Sequence, residues 1–403
     1  MSTKVIVIGA GIAGPVLATF LKLKGYEPVI YERSPAFVEN GLAHALQPNG
    51  LRVLGLLPGV VERLKGFEIQ KIMQISAMEG HEQVLGQVDT SYLKGQIGFS
   101  ITGVQRATLH KLLLTVAEEH GVKVNWGHHA ISFKQSENEV QVTFENGHKD
   151  TASLVVGCDG LHSDTRIALF GNDKPEFTGQ VQIGGFAPSS VAFERNALLS
   201  IFHDGMHMLT HAFDEHQHVW IVTMREAECK EDRGDRDAKT VEETRRGPLS
   251  KWSFGAGDLV KNATKITKYG LYDRPELKTW HKGRVVLLGD AAHPTSPHLG
   301  QGASQSFEDI YHLIRVLLKY NPDASSPSTD TLHKAFTEYE IIRVPASTRI
   351  VKGAREQGEI RAVEGLERGL ARNRKVQEDW KDEEVTKQRM LSTLSGSFKK
   401  SEI

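Results

Sequence analysis

The sequence lacks the features that mark several large classes of protein. Two cysteines, Cys158 and Cys229, are too few for a disulfide framework, which favours a reducing compartment and a cytoplasmic location. No apolar run approaches the roughly 20 residues of a membrane helix, so we expect no integral membrane segment. A strand is expected from Lys4, which leaves no room for a signal peptide. The formal net charge of −1 provides no broad basic field for nucleic acid.

A glycine-rich stretch lies near the start of the chain. GAGIAG at 9–14 matches the G-x-G-x-x-G fingerprint of dinucleotide-binding folds. An apolar strand is expected over 5–8, a helical pattern follows the glycines, and a second strand expected over 28–31 ends at Glu32. A lone fingerprint is a weak signal, but strand, helix, strand and acid together predict a dinucleotide site.

Each residue of this motif has an expected role. Gly9 would make the turn, Gly11 would admit a pyrophosphate, and Gly14 would let helix and strand pack closely. Glu32 lies 18 residues beyond Gly14 (32 − 14), near the roughly 20 expected for the acid that grips a ribose hydroxyl. An acid here suits a ribose without a 2′-phosphate. Arg33 either stacks on the adenine or is solvated.

A second stretch, RVVLLGDAAHPTSPHLGQGASQSFED at 284–309, has the pattern of a strand, a stiff loop and a helix. Val285–Leu288 form an apolar run typical of a buried parallel strand, and Asp290 follows at the strand end, where open α/β sheets bind ligands. Pro297 stiffens the loop. Residues 300–303 lead into an expected helix whose N-terminus would direct N–H groups toward an electron-rich group. A plain strand–helix connection is the alternative for this stretch alone.

Two further regions predict a second, antiparallel sheet. Residues 179–224 carry several strand patterns, and Asp204-Gly205 is a strong hairpin signal between two of them. Residues 69–103 carry short alternating stretches with glycines. We expect these strands to belong to a sheet other than the first one.

Histidines crowd this second region: His203, His207, His211, His216 and His218. No carboxylate or cysteine completes a recognisable ligand set with them, so we expect no metal site. His207 and His211 share one face of their strand, since alternate strand residues point the same way. Either a wet surface stripe or the wall of a pocket would explain that pairing.

Four motifs occur in the order found in one enzyme family. They are GAGIAG with Glu32, VQRATLHKL at 104–112, GCDGLHSDTR at 157–166 and GDAAHPTSPHLGQG at 289–302. Together they closely resemble the single-component FAD-dependent aromatic hydroxylases, the salicylate and para-hydroxybenzoate hydroxylase family, over roughly residues 3–355. The resemblance implies a flavoprotein monooxygenase that uses FAD as cofactor and NAD(P)H as co-substrate, with O2 and a small aromatic substrate.

The resemblance also implies which residues form the site. The FAD pyrophosphate and adenosine would be held by Gly9, Gly11, Ala13, Gly14, Glu32, Arg33 and Arg106. Asp159 and Gly160 belong to a motif that the family uses for both FAD and nicotinamide. The ribityl chain and the isoalloxazine would lie against Gly289, Asp290, Pro297, Gly300, Gln301, Gly302 and Ala303. His211, with His207, would be the catalytic candidate that deprotonates or orients a phenol. We identify no reliable arginine for a substrate carboxylate.

The predicted fold is α/β. A Rossmann-like FAD-binding domain would be discontinuous and comprise 1–70, 104–176 and 272–355, with an inserted antiparallel-sheet substrate domain over 71–103 and 177–271. Residues 356–403 would form a C-terminal helical appendage and a frayed tail, because acids and bases alternate there. The oligomeric state is expected to be a monomer or a homodimer.

Three functions compete at this stage. The first is a monooxygenase that hydroxylates a phenol or aromatic acid through a flavin hydroperoxide, with decarboxylation where the carboxylated carbon is attacked. The second is another flavoenzyme on the same fold, an epoxidase, halogenase, reductase or oxidase, although the tryptophan-rich W-x-W-x-I-P signature of such halogenases is absent from the sequence. The third is a non-catalytic binding protein, which the intact glycine motifs disfavour.

Overall fold

The computed structural model describes residues 3–171, 173–189, 194–228, 238–396 and 403. Cys229 and the tail residues 397–402 lie outside that part.

The strands, in chain order, are β1 (Lys4–Ile8), β2 (Glu27–Tyr31), β3 (Ala43–Leu46), β4 (Phe67–Ile69), β5 (Lys71–Ser76), β6 (Gln83–Asp89), β7 (Ile101–Gln105), β8 (Lys123–Asn125), β9 (Ala130–Gln135), β10 (Val140–Phe144), β11 (Lys149–Ala152), β12 (Leu154–Gly157), β13 (Glu176–Pro188), β14 (Ala197–Phe202), β15 (Met206–Ala212), β16 (Gln217–Arg225), β17 (Lys265–Asp273), β18 (His281–Lys282) and β19 (Val285–Leu287).

The helices are α1 (Ala13–Leu23), α2 (Pro48–Leu54), α3 (Val60–Arg63), α4 (Tyr92–Ile97), α5 (Arg106–Glu119), α6 (Asp164–Phe170), α7 (Ala238–Arg246), α8 (Ala256–Lys261), α9 (Gly302–Tyr320), α10 (Thr329–Arg361), α11 (Leu366–Asp379) and α12 (Glu383–Leu394). Short 3-10 turns occur at Pro248–Lys251, Gly289–Ala291 and Pro297–Leu299. None of the helices in the described ranges is long and apolar enough to cross a membrane.

The first sheet is mostly parallel and has the strand order β18-β19-β12-β1-β2-β8. Only the edge pair β18 and β19 is antiparallel. The strands β12 and β19 are buried along their whole length, as expected for a parallel sheet covered on both faces. The carboxyl ends of β1, β2, β12 and β19 therefore meet at one edge of the sheet, where the predicted strands end in the glycine and acid motifs.

The second sheet has seven strands in the order β17-β13-β16-β15-β14-β5-β6. Its pairs are antiparallel except β14 with β5. The predicted hairpin joins β14 to β15, and Gly205 has a φ of +65° in its turn. One face of the sheet packs on α8 through Met208, Trp220 and Leu259. The opposite face meets Leu42 from the first domain.

The expectation for residues 69–103 is only partly right. Strands β5 and β6 join the seven-stranded sheet, but β7 lies between β3 and β4 in a small antiparallel sheet of its own. Residues Tyr92–Ile97 form a helix rather than a strand. The small sheet lies against β15, because a Cβ added at Gly103 would lie 2.1 Å from the Ala212 carbonyl oxygen. Gly103 thus permits β7 to contact the backbone of β15. The alternation of apolar and polar residues in the sequence does not predict this contact.

The C-terminal helices pack on the edge of the second sheet. The Asn373 amide of α11 donates to Ser76 Oγ over 2.9 Å, and Trp380 covers Gly86 of β6. Leu394 of α12 packs with Ile69. The helix α10 runs unbroken through the predicted boundary at 355. The proposed domain limits stay a prediction.

Candidate active site

A cavity of about 260 Å³ lies at the carboxyl edge of the parallel sheet. Its lining comes from strand ends and adjacent loops: Ile8, Gly9, Gly11, Tyr31, Glu32, Arg33, Ser34, Arg106, His128, His129, Ala130, Cys158, Asp159, Gly160 and Asp164. The structure therefore brings together residues from three of the four sequence motifs, which are far apart along the chain. Such an edge of an open α/β sheet is where this type of fold binds its ligands.

The three glycines of the first motif differ in what surrounds them. Gly9 has a φ of +103°, and a Cβ there would lie 2.5 Å from the Cys158 carbonyl oxygen. A Cβ at Gly14 would lie 2.0 Å from the Gly9 carbonyl oxygen, so helix α1 and strand β1 can approach only because both positions lack side chains. Gly11 has no atom within 4 Å of such a Cβ, and it borders the cavity. That open space is where a pyrophosphate would approach the N-terminus of α1, which begins at Ala13.

Glu32 lies at the end of β2, half-buried at the cavity wall. Its carboxylate accepts hydrogen bonds from the Ala10 and Ser34 backbone N–H groups, each over 2.8 Å. These bonds hold the acid beside the glycine turn, where a ribose would lie. Arg33 is exposed and Arg106, at the start of α5, packs its side chain on Gly41.

Asp159 follows β12 and holds the loop after it in shape. Its carboxylate accepts from Ser163 Oγ over 2.6 Å and from the backbone N–H and hydroxyl of Thr165, each over 2.9 Å. Burial raises the pKa of Asp159, and these hydrogen bonds oppose that rise. The neighbouring Cys158 is buried and burial raises its pKa well above the usual range, so its thiol is inert. A role for Asp159 toward nicotinamide stays a prediction.

The loop from 289 to 303, which the family resemblance predicts to face the flavin and which we call the flavin loop, follows β19. Gly289 has a φ of +63°, and a Cβ there would lie 2.6 Å from Ser306 Oγ, so only glycine fits. Asp290 is exposed at the sheet edge. Pro297 is exposed at the start of a 3-10 turn, Gly300 ends that turn with a φ of +63°, and α9 begins at Gly302 as predicted.

The side chain of Gln301 is buried and hydrogen-bonded within the protein. It is only 2% exposed, and its carbonyl oxygen accepts from Asn49 over 2.9 Å and from Gln305 over 3.0 Å. Its amide nitrogen donates to Gln47. A cofactor contact from Gln301 would therefore have to come from its backbone.

A buried ionic network holds the flavin loop from behind. Arg343 of α10 donates to Asp309 over 2.6 Å and to Glu308 over 2.9 Å, both on α9. Asp309 also accepts from the Gly289 backbone N–H over 2.9 Å and from the His293 ring. The sequence analysis did not predict this network. The adjacent acids Glu308 and Asp309, in a helix with a strongly apolar face, were the signal that could have indicated it. The network joins the start of the loop to two long helices.

His207 and His211 are buried, each 1% exposed, so the surface-stripe alternative is wrong. His207 shares a hydrogen bond of 2.8 Å with Ser200, and the His211 Nδ1–H donates to the Ala212 carbonyl over 3.0 Å. Burial lowers the pKa of His211 to about 4, and the hydrogen bond only partly offsets this. Burial, and then the charge of Arg361, place the pKa of His207 well below its ordinary value. The lowered pKa values favour an orienting role over proton abstraction at neutral pH, and a catalytic role for either ring stays a prediction.

An apolar cluster lies where Leu42 meets one face of the second sheet. Phe186, Phe213 and Val219 of the sheet pack with Leu42, and the two phenyl rings lie 4.9 Å apart. Ile221 packs against them. This cluster forms a dry wall on the sheet face that points toward the first domain.

Polar groups lie beside this wall on the same face. Gln182 donates to Thr223 over 3.0 Å and accepts from the Tyr269 hydroxyl over 2.9 Å. His298 of the flavin loop donates to Gln180 over 2.9 Å, which ties the loop directly to β13. Sequence reasoning did not identify these groups, because only the strand register brings them together.

Known proteins resemble this chain over most of its length. A family model described as FAD binding domain matches residues 2–352. The chain is 30% identical to 3-amino-4-hydroxybenzoate 2-monooxygenase of Streptomyces cremeus, over 88% of this chain and 87% of that protein. It is 26% identical to 3-hydroxybenzoate 6-hydroxylase of Klebsiella oxytoca, over 91% of this chain and 90% of that protein.

Solved structures share the fold. The structure of Klebsiella pneumoniae HpxO complexed with FAD and uric acid matches with a TM-score of 0.83 at 22% identity, covering 98% of this chain and 97% of the other. The structure of 2,6-dihydroxypyridine-3-hydroxylase from Arthrobacter nicotinovorans matches with a TM-score of 0.74 at 18% identity, covering 91% and 94%.

Proposed function

The chain belongs to the FAD-binding-domain family and is a FAD-dependent aromatic monooxygenase, and on that premise we propose that it hydroxylates a small electron-rich ring between its two large sheets. The resemblance drawn from the four motifs is confirmed, as is the α/β fold class. The observation that carries the proposal is the dry wall around Phe186 and Phe213, which faces the flavin domain beside a few polar groups. Such a mostly apolar surface with a few polar groups is typical of sites for small ligands.

The residues present fit FAD. The open space beside Gly11 and the N-terminus of α1 suit the pyrophosphate, and Glu32 suits the adenosine ribose. Asp290 would hold the ribityl chain, and the flavin loop with the start of α9 would face the isoalloxazine. When bound, FAD supplies hydride acceptance and oxygen activation.

The protein's own residues would then orient the substrate and keep the site dry. The cluster of Leu42, Phe186 and Phe213 excludes water from one side of the ring. Hydrogen bonds with Thr223 and Tyr269 orient the amide of Gln182. The amide can accept a hydrogen bond from a ring hydroxyl of the substrate or donate one to it. His211 is neutral and packed against Gly103, so it would shape the pocket rather than take a proton.

The number of dinucleotide motifs in the sequence bears on where the nicotinamide co-substrate binds. The sequence contains one G-x-G-x-x-G, which FAD would occupy, so we propose that NAD(P)H binds transiently near Asp159. O2 would be the second co-substrate. A monomeric or homodimeric state and a cytoplasmic location are part of this proposal, the latter supported by the low cysteine content.

Flavin content and co-substrate consumption test the proposal. Purified protein reconstituted with FAD should oxidise NADH or NADPH faster when hydroxylated aromatic compounds are added, with O2 consumed in parallel. A colourless protein that does not take up FAD would support the binding-protein alternative. Nicotinamide oxidation that is independent of O2 would support a reductase.

A further inference from the structure

A chain of side-chain amides runs from the buried ionic network to the later part of the flavin loop. Asn49 lies in the first turn of α2, and its amide donates to Glu308 over 2.7 Å and to Gln301 over 2.9 Å. Gln301 donates in turn to Gln47, and the Gln47 amide donates to the Leu299 carbonyl over 2.8 Å. The chain thus begins at a carboxylate on α9 and ends on the backbone of the loop.

Arg343 fixes the direction of these hydrogen bonds. A guanidinium has donors only, so the Gln305 side chain must present its oxygen to Arg343, over 2.7 Å, and its nitrogen to Gln301, over 3.0 Å. Gln301 then presents its oxygen to Gln305 and its nitrogen to Gln47. The Gln47 amide is left with its nitrogen for the Leu299 carbonyl. Each amide therefore has a single orientation that satisfies both of its neighbours.

Burial makes most of these bonds hard to replace with water. Asn49 has no exposed surface, and Gln301 and Gln305 are 2% and 5% exposed. Loss of a partner would leave such a buried polar atom unsatisfied, which costs more than a typical hydrogen bond contributes. Gln47 is only half-buried at the end of the chain. It is therefore the member that can be replaced with least damage to the core.

The Gln47 side chain contacts the loop rather than its own helix. It is the N-cap residue of α2, but its side chain makes no capping hydrogen bond. Its nitrogen would instead lie 3.1 Å from a Cβ placed at Gly300, whose φ of +63° ends the 3-10 turn before α9. Gln47 thus touches the flavin loop at the turn that sets the direction in which α9 starts.

Helix α2 gives this contact a firm support. A Cβ at Gly50 would lie 2.6 Å from Ser304 Oγ and 2.9 Å from Ser304 Cα. The first turn of α2 therefore lies directly against the first turn of α9. Gln47, just before α2, is held at a fixed distance from the loop that leads into α9.

We propose that Gln47 is a positioning residue for the flavin: its hydrogen bond to the Leu299 carbonyl holds the backbone of residues 301–303 at the angle from which their N–H groups stabilise reduced FAD. The first N–H groups of a helix have no partner within the helix, and they carry the positive end of its dipole. Their effect depends on direction, because a hydrogen bond weakens steeply as it departs from linearity. This inference rests on the proposed function and adds to it a residue that acts on the flavin through the loop.

The test measures the reduction potential of the bound flavin in the full-length, FAD-loaded protein, by equilibration with a reference dye without oxygen. Gln47→Met removes both hydrogen bonds of the amide and leaves a side chain of similar length. Gln301→Met removes the partner that orients Gln47 but leaves the acceptor at Leu299 in place. FAD affinity and the thermal unfolding of the apoprotein are measured for each variant.

Gln135→Met is the matched control. The Gln135 amide also bridges two backbone groups, since it donates to the Lys282 carbonyl over 2.9 Å and accepts from the Arg284 N–H over 2.7 Å. These groups lie at the β18–β19 hairpin, away from the flavin loop. The control therefore loses a comparable clamp on the backbone without changing the loop.

In Gln47→Met the potential should fall, because reduced FAD loses more stabilisation than oxidised FAD. The ratio of the affinities for reduced and oxidised FAD, which the potential measures, should drop roughly 3–20-fold, the range expected for interactions with a helix terminus. Gln301→Met should show a smaller fall in the same direction. Gln135→Met should keep the wild-type potential even where it lowers the unfolding temperature.

Two results would overturn the assignment. One is a wild-type potential in Gln47→Met with FAD bound; if that variant does not fold or take up FAD, a wild-type potential in Gln301→Met overturns the assignment instead. The other is an equal fall in Gln135→Met, which would show that the potential follows general stability. A fall confined to the Gln47 and Gln301 variants, together with no oxygen-dependent turnover of any aromatic compound, would support the positioning role and overturn the proposed function.

Discussion

Arg343 Nε lies 2.6 Å from Asp309 Oδ1, and neither residue has any exposed surface. The pair joins α10 to α9, and the same aspartate binds Gly289 and His293 at the start of the flavin loop. The loop that we propose faces the flavin is thus positioned by an ion pair that does not itself border the large cavity. Removing one partner of such a pair leaves a buried charge and typically costs about 3–5 kcal/mol.

This pair makes stability depend on acid pH. Burial alone would raise the pKa of Asp309, but His293 and Arg343 lower it to about 2. An ordinary aspartate in the unfolded chain has a pKa near 3.9, so the folded state holds fewer protons between the two values. The resulting stabilisation, about 2–3 kcal/mol, is present above pH ~4 and is lost as the pH falls toward ~2.

Urea unfolding from pH 6 down to pH 3 measures this effect. Asp309→Asn should be destabilised at pH 6 and should show a shallower loss of stability below pH 4 than wild type. A variant with wild-type stability and an unchanged acid slope would show that the pair does not position the loop.

Glu32→Ala should weaken FAD binding roughly 10–100-fold. The variant would lose the charged acceptor for ribose hydroxyls, and hydrogen bonds to charged groups contribute roughly 1.5–3 kcal/mol each. It would also release the Ala10 and Ser34 N–H groups that the carboxylate now holds. Glu32→Gln is the matched control, because it keeps one acceptor oxygen. Titration of the apoprotein with FAD provides the measurement, and wild-type affinity in Glu32→Ala would contradict the ribose assignment.

Asp290→Ala should reduce FAD content more than it lowers the stability of the apoprotein. The side chain is exposed at the strand end and would hold the ribityl chain, so its loss should affect FAD binding more than the folding of the core. Thermal unfolding of the apoprotein and flavin absorbance after reconstitution separate the two effects. Normal flavin content together with normal turnover would mean that the flavin loop has been misinterpreted.

His211→Asn should reduce substrate-stimulated turnover more than FAD content, and should leave the pH profile unchanged in shape. With a pKa of about 4, His211 is already neutral throughout the range from pH 5.5 to 9, so no ionisation should disappear with it. The profile of kcat/KM against pH provides the measurement. Loss of an ionisation near pH 6–7 in the variant would restore His211 as a catalytic base.

The parts of the site that could be predicted from the sequence are those that depend on neighbouring residues alone. Positive-φ glycines such as Gly9 and Gly289, and acids at strand ends such as Glu32 and Asp290, follow from turn geometry and from the alternation of strands and helices. Arg361 and His207 illustrate what could not be predicted. They are far apart in the sequence and are brought together only by the packing of α10 on the second sheet. Burial, which lowers the pKa of both, is likewise a property of the folded chain.

Incubation under labelled dioxygen tests the central claim most directly. The account predicts that one labelled oxygen atom enters the hydroxylated aromatic product, that the other enters water, and that one NADH or NADPH is consumed for each product formed. Label that enters the product from water, or product formed without oxygen, would contradict the monooxygenase assignment.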